Sequence, residues 1–202
     1  TTVDVETSWQ KTETGGYDPS PFHPDNILVS VGINDEYYFT NHSERIDKGC
    51  ASKIQSILDK TTLLIGHNIK FDLMWLLESG FKYSGRVYDT MLGEYVLNRG
   101  VRKSLTLEMS CRRRRIGSKD SRIKEFTDRG IPFQDIPVDL VEEYGRIDVE
   151  ITRRLFDSQM GDLKMAKNKG LLMTLKMMNE FLIVLSDMER NGINIQLDEL
   201  SK

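Results

Sequence analysis

Acidic residues occupy three separate places in this sequence where they could act together. Asp4 and Glu6 alternate along a short strand-like segment, so their side chains point to the same face of a sheet. Two neighbouring carboxylates repel each other unless a cation lies between them, and Mg²⁺ or Mn²⁺ prefers oxygen ligands of this kind. The pair therefore indicates a metal site, while a solvent-facing strand end explains an isolated Asp-x-Glu equally simply.

The second acid, Asp72, falls on the first turns of a predicted helix that follows a strand ending at Gly66. A carboxylate in this region can belong to a site built at the strand end. Favourable interaction with the helix dipole is the alternative explanation for an acid in the first turns of a helix.

The third acid, Asp148, shares a helix face with Tyr144, because side chains four residues apart lie one above the other. The same face carries Leu140, Ile151 and Leu155, so it is the side that packs on the core. A carboxylate on a core-facing stripe needs a metal or an ionic partner. The alternative is a half-buried Asp148 paired with a nearby arginine.

The composition is that of an ordinary globular protein. The 202 residues are 39% hydrophobic and 29% charged, and 28 basic against 31 acidic side chains give a net charge of −3. These values exclude a disordered tail, a collagen-like fibre and a small disulfide scaffold. Even the longest apolar runs, such as Phe181–Leu185, are far too short to span a bilayer, so no membrane partner is expected. Cys50 and Cys111 form no CxxC pair, which favours a reducing compartment, the cytoplasm (that of the host cell if the source is viral).

The predicted elements place the acids in an α/β fold. Strands are expected at residues 3–6, 27–31, 37–39 and 62–65, and helices at 45–60, 68–79, 91–98 and 138–156. This order predicts a mixed β-sheet with helices around it. Residues 7–26, which include Gly15, Gly16 and three prolines, indicate a loop. Asp89 is expected to cap the helix that follows it.

A basic block and an amphipathic tail complete the chain. Residues 99–124 carry ten Lys or Arg side chains against two acids, and Arg112–Arg115 are consecutive. Such a block favours a contact with a nucleic-acid backbone, and a solvated basic loop is the alternative. The tail forms a long helix with an apolar seam, which we expect to be packed less tightly than residues 1–157. The seam residues are Leu171, Leu175, Met178, Leu182 and Leu185.

Together, the acidic segments resemble the three exonuclease motifs of the DEDD superfamily of 3′→5′ exonucleases. Motif I is similar to Val3-Asp4-Val5-Glu6-Thr7, motif II to His67-Asn68-Ile69-Lys70-Phe71-Asp72, and motif III to Tyr144-Gly145-Arg146-Ile147-Asp148. The resemblance covers residues 1–157 and implies a ribonuclease H-like mixed β-sheet flanked by helices. It also implies two divalent metal ions, Mg²⁺ or Mn²⁺, as cofactors.

The branch of the superfamily follows from Tyr144, because the histidine-bearing branch has His where this chain has Glu143. The tyrosine branch includes the proofreading domains of family A DNA polymerases and RNase D-like exoribonucleases. Residues 180–193 resemble the passage from exonuclease to polymerase in family A enzymes, which favours the first group. The resemblance thus implies a 3′→5′ exonuclease domain at 1–160, then a linker helix and the start of a truncated polymerase domain at 161–202. An RNase D-like exoribonuclease and a non-catalytic nucleic-acid-binding module are the alternatives.

The resemblance also implies a role for each motif residue. The expected metal ligands are Asp4, Glu6 and Asp148 for the first ion and Asp72 for the second, and Tyr144 is expected to orient the attacking water. The expected substrate contacts are Thr7 and Asn68 at the terminal nucleotide, with Arg112, Arg113, Arg114 and Arg115 along the DNA backbone. The expected partners are the single-stranded 3′ end of DNA and the polymerase domain of the same chain.

Overall fold

The structure is a computed structural model that describes residues 1–117 and 122–194. Its strands are β1 (Val3–Thr7), β2 (Gln10–Lys11), β3 (Tyr17–Asp18), β4 (Leu28–Ile33), β5 (Glu36–Phe39), β6 (Leu63–Gly66) and β7 (Arg86–Asp89). Its helices are α1 (Cys50–Lys60), α2 (Ile69–Glu78), α3 (Thr90–Leu97), α4 (Leu107–Arg114), α5 (Arg122–Asp128), α6 (Val138–Leu163) and α7 (Lys169–Asn191). Single 3₁₀ turns lie at Phe133–Asp135 and Ala166–Asn168.

A mixed sheet forms the centre of the fold. β1 pairs antiparallel with β4, and β4 pairs antiparallel with β5. β6 and β7 are parallel, and a parallel bridge between Thr2 and Ile65 joins this pair to β1. The strand order is therefore β5-β4-β1-β6-β7, with β1 in the middle. β1 ends beside α2 and α6, which pack on the sheet.

The predicted mixed α/β sheet is confirmed, and the differences are local. Helix α1 begins at Cys50 rather than at residue 45. The side chain of Asp47 accepts hydrogen bonds from the backbone N–H of Phe39 and from the guanidinium group of Arg45, which holds this segment outside the helix. Gly49 then adopts the left-handed conformation just before the helix. The expected loop 7–26 contains the small β2-β3 hairpin. β7 and α4 have no predicted counterpart, because each is short and carries few apolar residues.

The last helix lies on the body of the domain. α7 packs against α2, α3 and β7, and Leu175 and Leu182 of the predicted seam are buried. The remaining seam residues, Leu171, Met178 and Leu185, are partly buried. The seam therefore folds back on the exonuclease body, and the expectation that residues after 160 pack less tightly than residues 1–157 stays a prediction.

The predicted boundary after residue 160 falls inside α6, which continues to Leu163. Leu163 is buried in one apolar cluster with Tyr88 and Leu175, so packing continues across that boundary. Residues 195–202 of the predicted second segment lie outside the described residues. Among the helices at 1–117 and 122–194, none is long and apolar enough to cross a membrane.

Candidate active site and metal centre

Three acids from two distant parts of the chain meet at the centre of the sheet. Asp4 and Glu6 lie on β1, and Asp148 lies on α6, which crosses the sheet above β1. Ligand oxygens of the three carboxylates lie within 4.8 Å of one another. Glu6 is buried and Asp148 is only 2% exposed, so their negative charges are held close together in a region poor in water. Buried carboxylates at this spacing match the donor set that hard divalent cations take.

Two glycines let α6 approach the sheet closely enough for this meeting. Gly32 of β4 is the register partner of Asp4, and a Cβ atom there would lie 2.8 Å from Val149 of α6. A Cβ atom on Gly145 of α6 would lie 2.4 Å from the ring of Tyr37. Sequence reasoning missed both residues, although a glycine inside a strand and another inside a helix signal close backbone approach.

Gly145→Ala is expected to lower activity at least tenfold and to destabilise the domain. Alanine normally favours a helix over glycine by about 1 kcal/mol, but overpacking against Tyr37 costs about 1–3 kcal/mol and shifts α6 outward. A displacement near 1 Å at a catalytic group can reduce the rate about a hundredfold. Thermal unfolding and hydrolysis of a single-stranded oligonucleotide measure the two effects.

The matched control for Gly145 is Gly161→Ala on the same helix, where an added Cβ meets nothing within 4 Å. This control should be neutral or slightly stabilising and fully active. Equal behaviour of the two variants would show that close packing at Gly145 does not position Asp148.

Asp72 lies beside the group of three acids. It is buried on the first turn of α2, and its Oδ1 accepts the backbone N–H of Val5, between Asp4 and Glu6, at 3.0 Å. Burial, followed by the nearby charge of Asp4, raises the pKa of Asp72 well above its ordinary value. A bound cation would reverse this effect, so Asp72 has the chemistry of a further ligand.

Tyr144 is one helical turn before Asp148 and is partly buried. Its ring packs at 6.1 Å, centroid to centroid, from Phe133. The predicted sharing of a helix face by Tyr144 and Asp148 is therefore present, and the water-orienting role stays a prediction.

The two predicted nucleotide contacts differ in exposure. Thr7 is buried at a register shift at the end of β1, and its predicted contact with the terminal nucleotide stays a prediction. Asn68 is exposed in the left-handed conformation, with φ of 63°, between β6 and α2. It lines an open cleft of about 1110 Å³ together with Phe22, Phe71 and Met188. The described lining of this cleft includes none of the four candidate metal ligands, so the contact of Asn68 with the terminal nucleotide stays a prediction.

The four consecutive arginines do not form a solvated loop. Arg112, Arg113 and Arg114 form the last turn of α4, and Arg115 follows it. Arg113 and Arg114 both pair with Glu94 of α3, so both side chains are already engaged within the protein, and their predicted DNA contact stays a prediction. Packing prevails over repulsion because Glu94 lies between the two guanidinium groups and Asp162 supplies a second carboxylate to Arg114. Arg112 and Arg115 are exposed, and their predicted backbone contact stays a prediction.

Glu94 joins three helices and was not singled out from the sequence. Its side chain is 3% exposed, and besides the two arginines it accepts a hydrogen bond of 3.1 Å from Gln159 of α6. Burial raises the pKa of Glu94, but hydrogen bonds from Gln159, Arg114 and Arg113 outweigh burial and hold the pKa below its ordinary value. The carboxylate is therefore stabilised in its charged form.

Glu94→Gln is expected to lower the free energy of unfolding by about 3 kcal/mol at pH 7, because it leaves two arginines facing a neutral amide. The pKa of Glu94 is depressed on folding, so its contribution is present above the ordinary value of 4.5 and is lost as the pH falls through the folded-state pKa. The difference between wild type and variant should therefore shrink below pH 4.5 in urea unfolding.

The control for Glu94 is Glu150→Gln, which breaks the exposed pair with Arg154. It should cost less than about 1 kcal/mol at either pH. A comparable loss in the two variants would mean that the Glu94 network adds nothing beyond a surface ion pair.

Comparison with known proteins agrees with this geometry. A family model for the exonuclease of A-type DNA polymerases, described as 3′-5′ exonuclease, matches residues 11–163. The chain belongs to this 3′-5′ exonuclease family. The matched range contains Asp72, Tyr144 and Asp148, and Asp4 and Glu6 lie before it. The structure nevertheless brings the acids of β1 to Asp148.

Proteins similar to this exonuclease domain include a DNA polymerase and, at lower identity, two solved structures. DNA polymerase I of Borreliella burgdorferi is 26% identical over 193 residues, which cover 94% of this chain and 21% of that protein. The chain thus spans about a fifth of this relative's length. Brucella melitensis NrnC with bound Mg²⁺ is 17% identical, with a TM-score of 0.66 and coverage of 95% of this chain and 85% of that one.

The catalytic core of RRP6 from Trypanosoma brucei is more distant. It is 13% identical, with a TM-score of 0.55 and coverage of 90% of this chain and 45% of that one. These structural likenesses show the shared fold, and the predicted ribonuclease H-like sheet flanked by helices is confirmed.

Proposed function

We propose that this exonuclease domain removes nucleotides from the 3′ end of single-stranded DNA with two divalent metal ions, Mg²⁺ or Mn²⁺. We further propose that it is the proofreading part of a DNA-directed DNA polymerase that acts in DNA replication. The observation that carries the proposal is the meeting of Asp4, Glu6 and Asp148 within 4.8 Å, with Asp72 beside them. Similarity to a polymerase I over 94% of the chain supports the polymerase setting.

The residues divide the work by position. Asp4, Glu6 and Asp148 would hold the first cation, and Asp72 would support the second from the first turn of α2. When bound, the cations supply positive charge for the scissile phosphodiester and for the water that attacks it. Tyr144, one turn from Asp148, would orient that water through its hydroxyl group. A phenol with its ordinary pKa near 10 is a weak base, so orientation is the role that suits it.

Hydrolysis of RNA is the second candidate function. The observation that favours it is the resemblance of the three acidic motifs to the tyrosine branch, which also includes RNase D-like exoribonucleases. The carboxylates act on the phosphodiester, which DNA and RNA share, so the metal site does not discriminate between them. Discrimination must come from groups that meet the 2′ position, and Thr7 and Asn68 are the candidates.

A matched pair of oligonucleotides tests the proposal. DNA and RNA strands of one sequence, labelled at the 5′ end, are incubated with the domain in Mg²⁺, in Mn²⁺ and in chelator. We expect a ladder shortened from the 3′ end, faster on DNA, and no cleavage in chelator. Preference for RNA would favour the second candidate, and absence of metal-dependent cleavage on either strand would reject both.

Tyr144→Phe is expected to slow hydrolysis about tenfold or more, the equivalent of one hydrogen bond in the transition state, without loss of metal binding. The rise in melting temperature on adding Mg²⁺ should match that of the wild type, because no carboxylate changes. An unchanged rate at neutral pH would show that the hydroxyl group has only a structural role.

The polymerase setting also concerns the outer face of α7. Its outward side chains Met173, Met177, Phe181, Val184 and Met188 are exposed, although they are apolar. A continuous apolar stripe of this kind marks an interaction surface. We propose that the remainder of the polymerase covers it. Met177→Glu with Phe181→Lys should then reduce self-association of the isolated domain and leave its nuclease rate unchanged.

A further inference from the structure

Two successive hydrogen bonds connect helix α7 to Asn68, which belongs to the segment similar to motif II. Asn179 of α7 is 6% exposed, and its Oδ1 accepts the backbone N–H of Asp89 at 2.9 Å. Asp89, at the end of β7, is 1% exposed. Its own Oδ1 accepts the backbone N–H of Asn68 at 3.0 Å and that of Met91 at 2.8 Å. Asp89 therefore caps α3, as predicted, and also fixes the backbone of Asn68 by a hydrogen bond.

The backbone of Asn68 is stabilised by this hydrogen bond. Its φ of 63° and ψ of 44° place it in the left-handed region, which asparagine adopts more readily than most side-chain-bearing residues but at some cost, so the bond from Asp89 helps to hold it there. It ends the connection between β6 and α2, so its conformation sets where α2 begins and where Asp72 points. Its exposed side chain faces the open cleft.

A second set of bonds holds the preceding residue in the same way. The ring nitrogens of His67 lie 2.9 Å from Thr90 Oγ1 and 2.8 Å from the carbonyl oxygen of Leu105. The connection between β6 and α2 is therefore tied to the start of α3 by both His67 and Asn68. Asn179 extends this framework to α7.

We propose that Asn179 is a positioning residue for the exonuclease site, acting through Asp89 on the backbone of Asn68. The inference rests on the proposed contact of Asn68 with the terminal nucleotide. It assigns the last helix to the exonuclease module, because a polar group on α7 fixes, through Asp89, the loop that carries Asn68. Loss of Asn179 should loosen Asn68 and weaken substrate binding more than it slows the chemical step.

The position favours asparagine over an apolar residue for a specific reason. The Asp89 amide is buried, and a buried N–H without an acceptor is strongly disfavoured. Leucine has nearly the same shape as asparagine but offers no acceptor. Asn179→Leu therefore removes the hydrogen bond while keeping α7 packed.

The test compares Asn179→Leu with Leu182→Ala, a variant on the same helix that removes buried apolar contact and no hydrogen bond to Asp89. KM and kcat are measured on a single-stranded DNA oligonucleotide in Mg²⁺, and hydrogen exchange of the Asn68 amide is measured in the metal-free protein. For Asn179→Leu we expect KM to rise about tenfold, the scale of one net hydrogen bond, with kcat changed less than about twofold. Asn68 exchange should be about tenfold faster for the same reason.

Leu182→Ala should lower the melting temperature and leave KM and Asn68 exchange near the wild-type values. Equal changes in both variants, or a change of melting temperature alone in Asn179→Leu, would overturn the proposal. If Asn179→Leu does not fold, Asn179→Ala replaces it, because the space left admits a water to the Asp89 amide while the direct bond is still absent. If the wild type shows no nuclease activity, the proposed function fails, and the exchange measurement still decides whether Asn179 holds Asn68.

Discussion

Asp148→Asn is expected to abolish nuclease activity and, at the same time, to raise the stability of the metal-free domain. The amide keeps the shape of the side chain but removes one of three negative charges that lie within 4.8 Å of one another. Relief of this repulsion should raise the free energy of unfolding by about 1 kcal/mol or more in the absence of metal. Loss of a metal ligand removes several kcal/mol of transition-state stabilisation, or about a thousandfold or more in rate.

The two effects of Asp148→Asn separate a metal ligand from an ordinary structural acid, whose loss would destabilise the fold. Melting temperatures are measured in chelator and in Mg²⁺, and hydrolysis is followed on single-stranded DNA. Mg²⁺ should raise the melting temperature of the wild type and have little effect on the variant. Asp4→Ala should likewise abolish hydrolysis and leave the fold near intact.

Asp157→Asn is the matched control, because Asp157 is an exposed acid on the same helix. It should keep both activity and the response to Mg²⁺. Full activity of Asp148→Asn in Mg²⁺ or Mn²⁺ would reject the site as assigned.

The sequence predicts those parts of the site that depend on residues close together in the chain, and it does not predict contacts between distant segments. The alternation of Asp4 with Glu6 and the four-residue step from Tyr144 to Asp148 are local, and periodicity predicts both correctly. The meeting of β1 with α6 is a contact between distant parts of the chain, and no local pattern contains it. Only the resemblance to known motifs linked these segments before the structure did.

The residues missed by sequence reasoning are those that act through packing. Gly32 and Gly145 matter because of what is absent at their Cβ positions, which depends on Tyr37 and Val149 across the interface. Glu94 stabilises the fold by pairing with Arg113 and Arg114, which follow it by 19 and 20 residues at the end of the next helix. In each case the partner is fixed by the tertiary structure, so residue type alone carries little signal.

The basic block shows how tertiary context overrides composition. Four consecutive arginines predict a solvated or nucleic-acid-binding segment. In the structure they end helix α4, which packs on α6 through the buried side chains of Leu107 and Cys111. Once α4 is docked, Arg113 and Arg114 meet Glu94, and a buried acid with two cations becomes a satisfied network. Residues 118–121 of the block, which include Lys119, lie outside the described residues.

Deletion of everything after Leu163 is expected to unfold or aggregate the domain and to abolish hydrolysis. The family match ends at Leu163, and the sequence predicts a domain boundary three residues earlier, after residue 160. The structure instead places Leu175 and Leu182 of α7 in the core. Their removal should cost about 5 kcal/mol or more, since burial of each leucine is worth about 2–5 kcal/mol. That loss is comparable with the whole stability of a typical domain, about 5–15 kcal/mol.

The deletion is compared with a fragment ending at residue 194, which retains every described element including α7. This longer fragment should melt cooperatively and hydrolyse single-stranded DNA at the rate of the full chain, because no proposed ligand or positioning residue lies beyond Asn179. Circular dichroism melting, elution volume and hydrolysis rate are measured for both fragments. A cooperative melt and undiminished hydrolysis from residues 1–163 would show that α7 contacts the exonuclease domain but is not required for its folding or activity. The opposite result would move the boundary of the exonuclease module to the end of α7, near Gly192, where the left-handed glycine ends the helix.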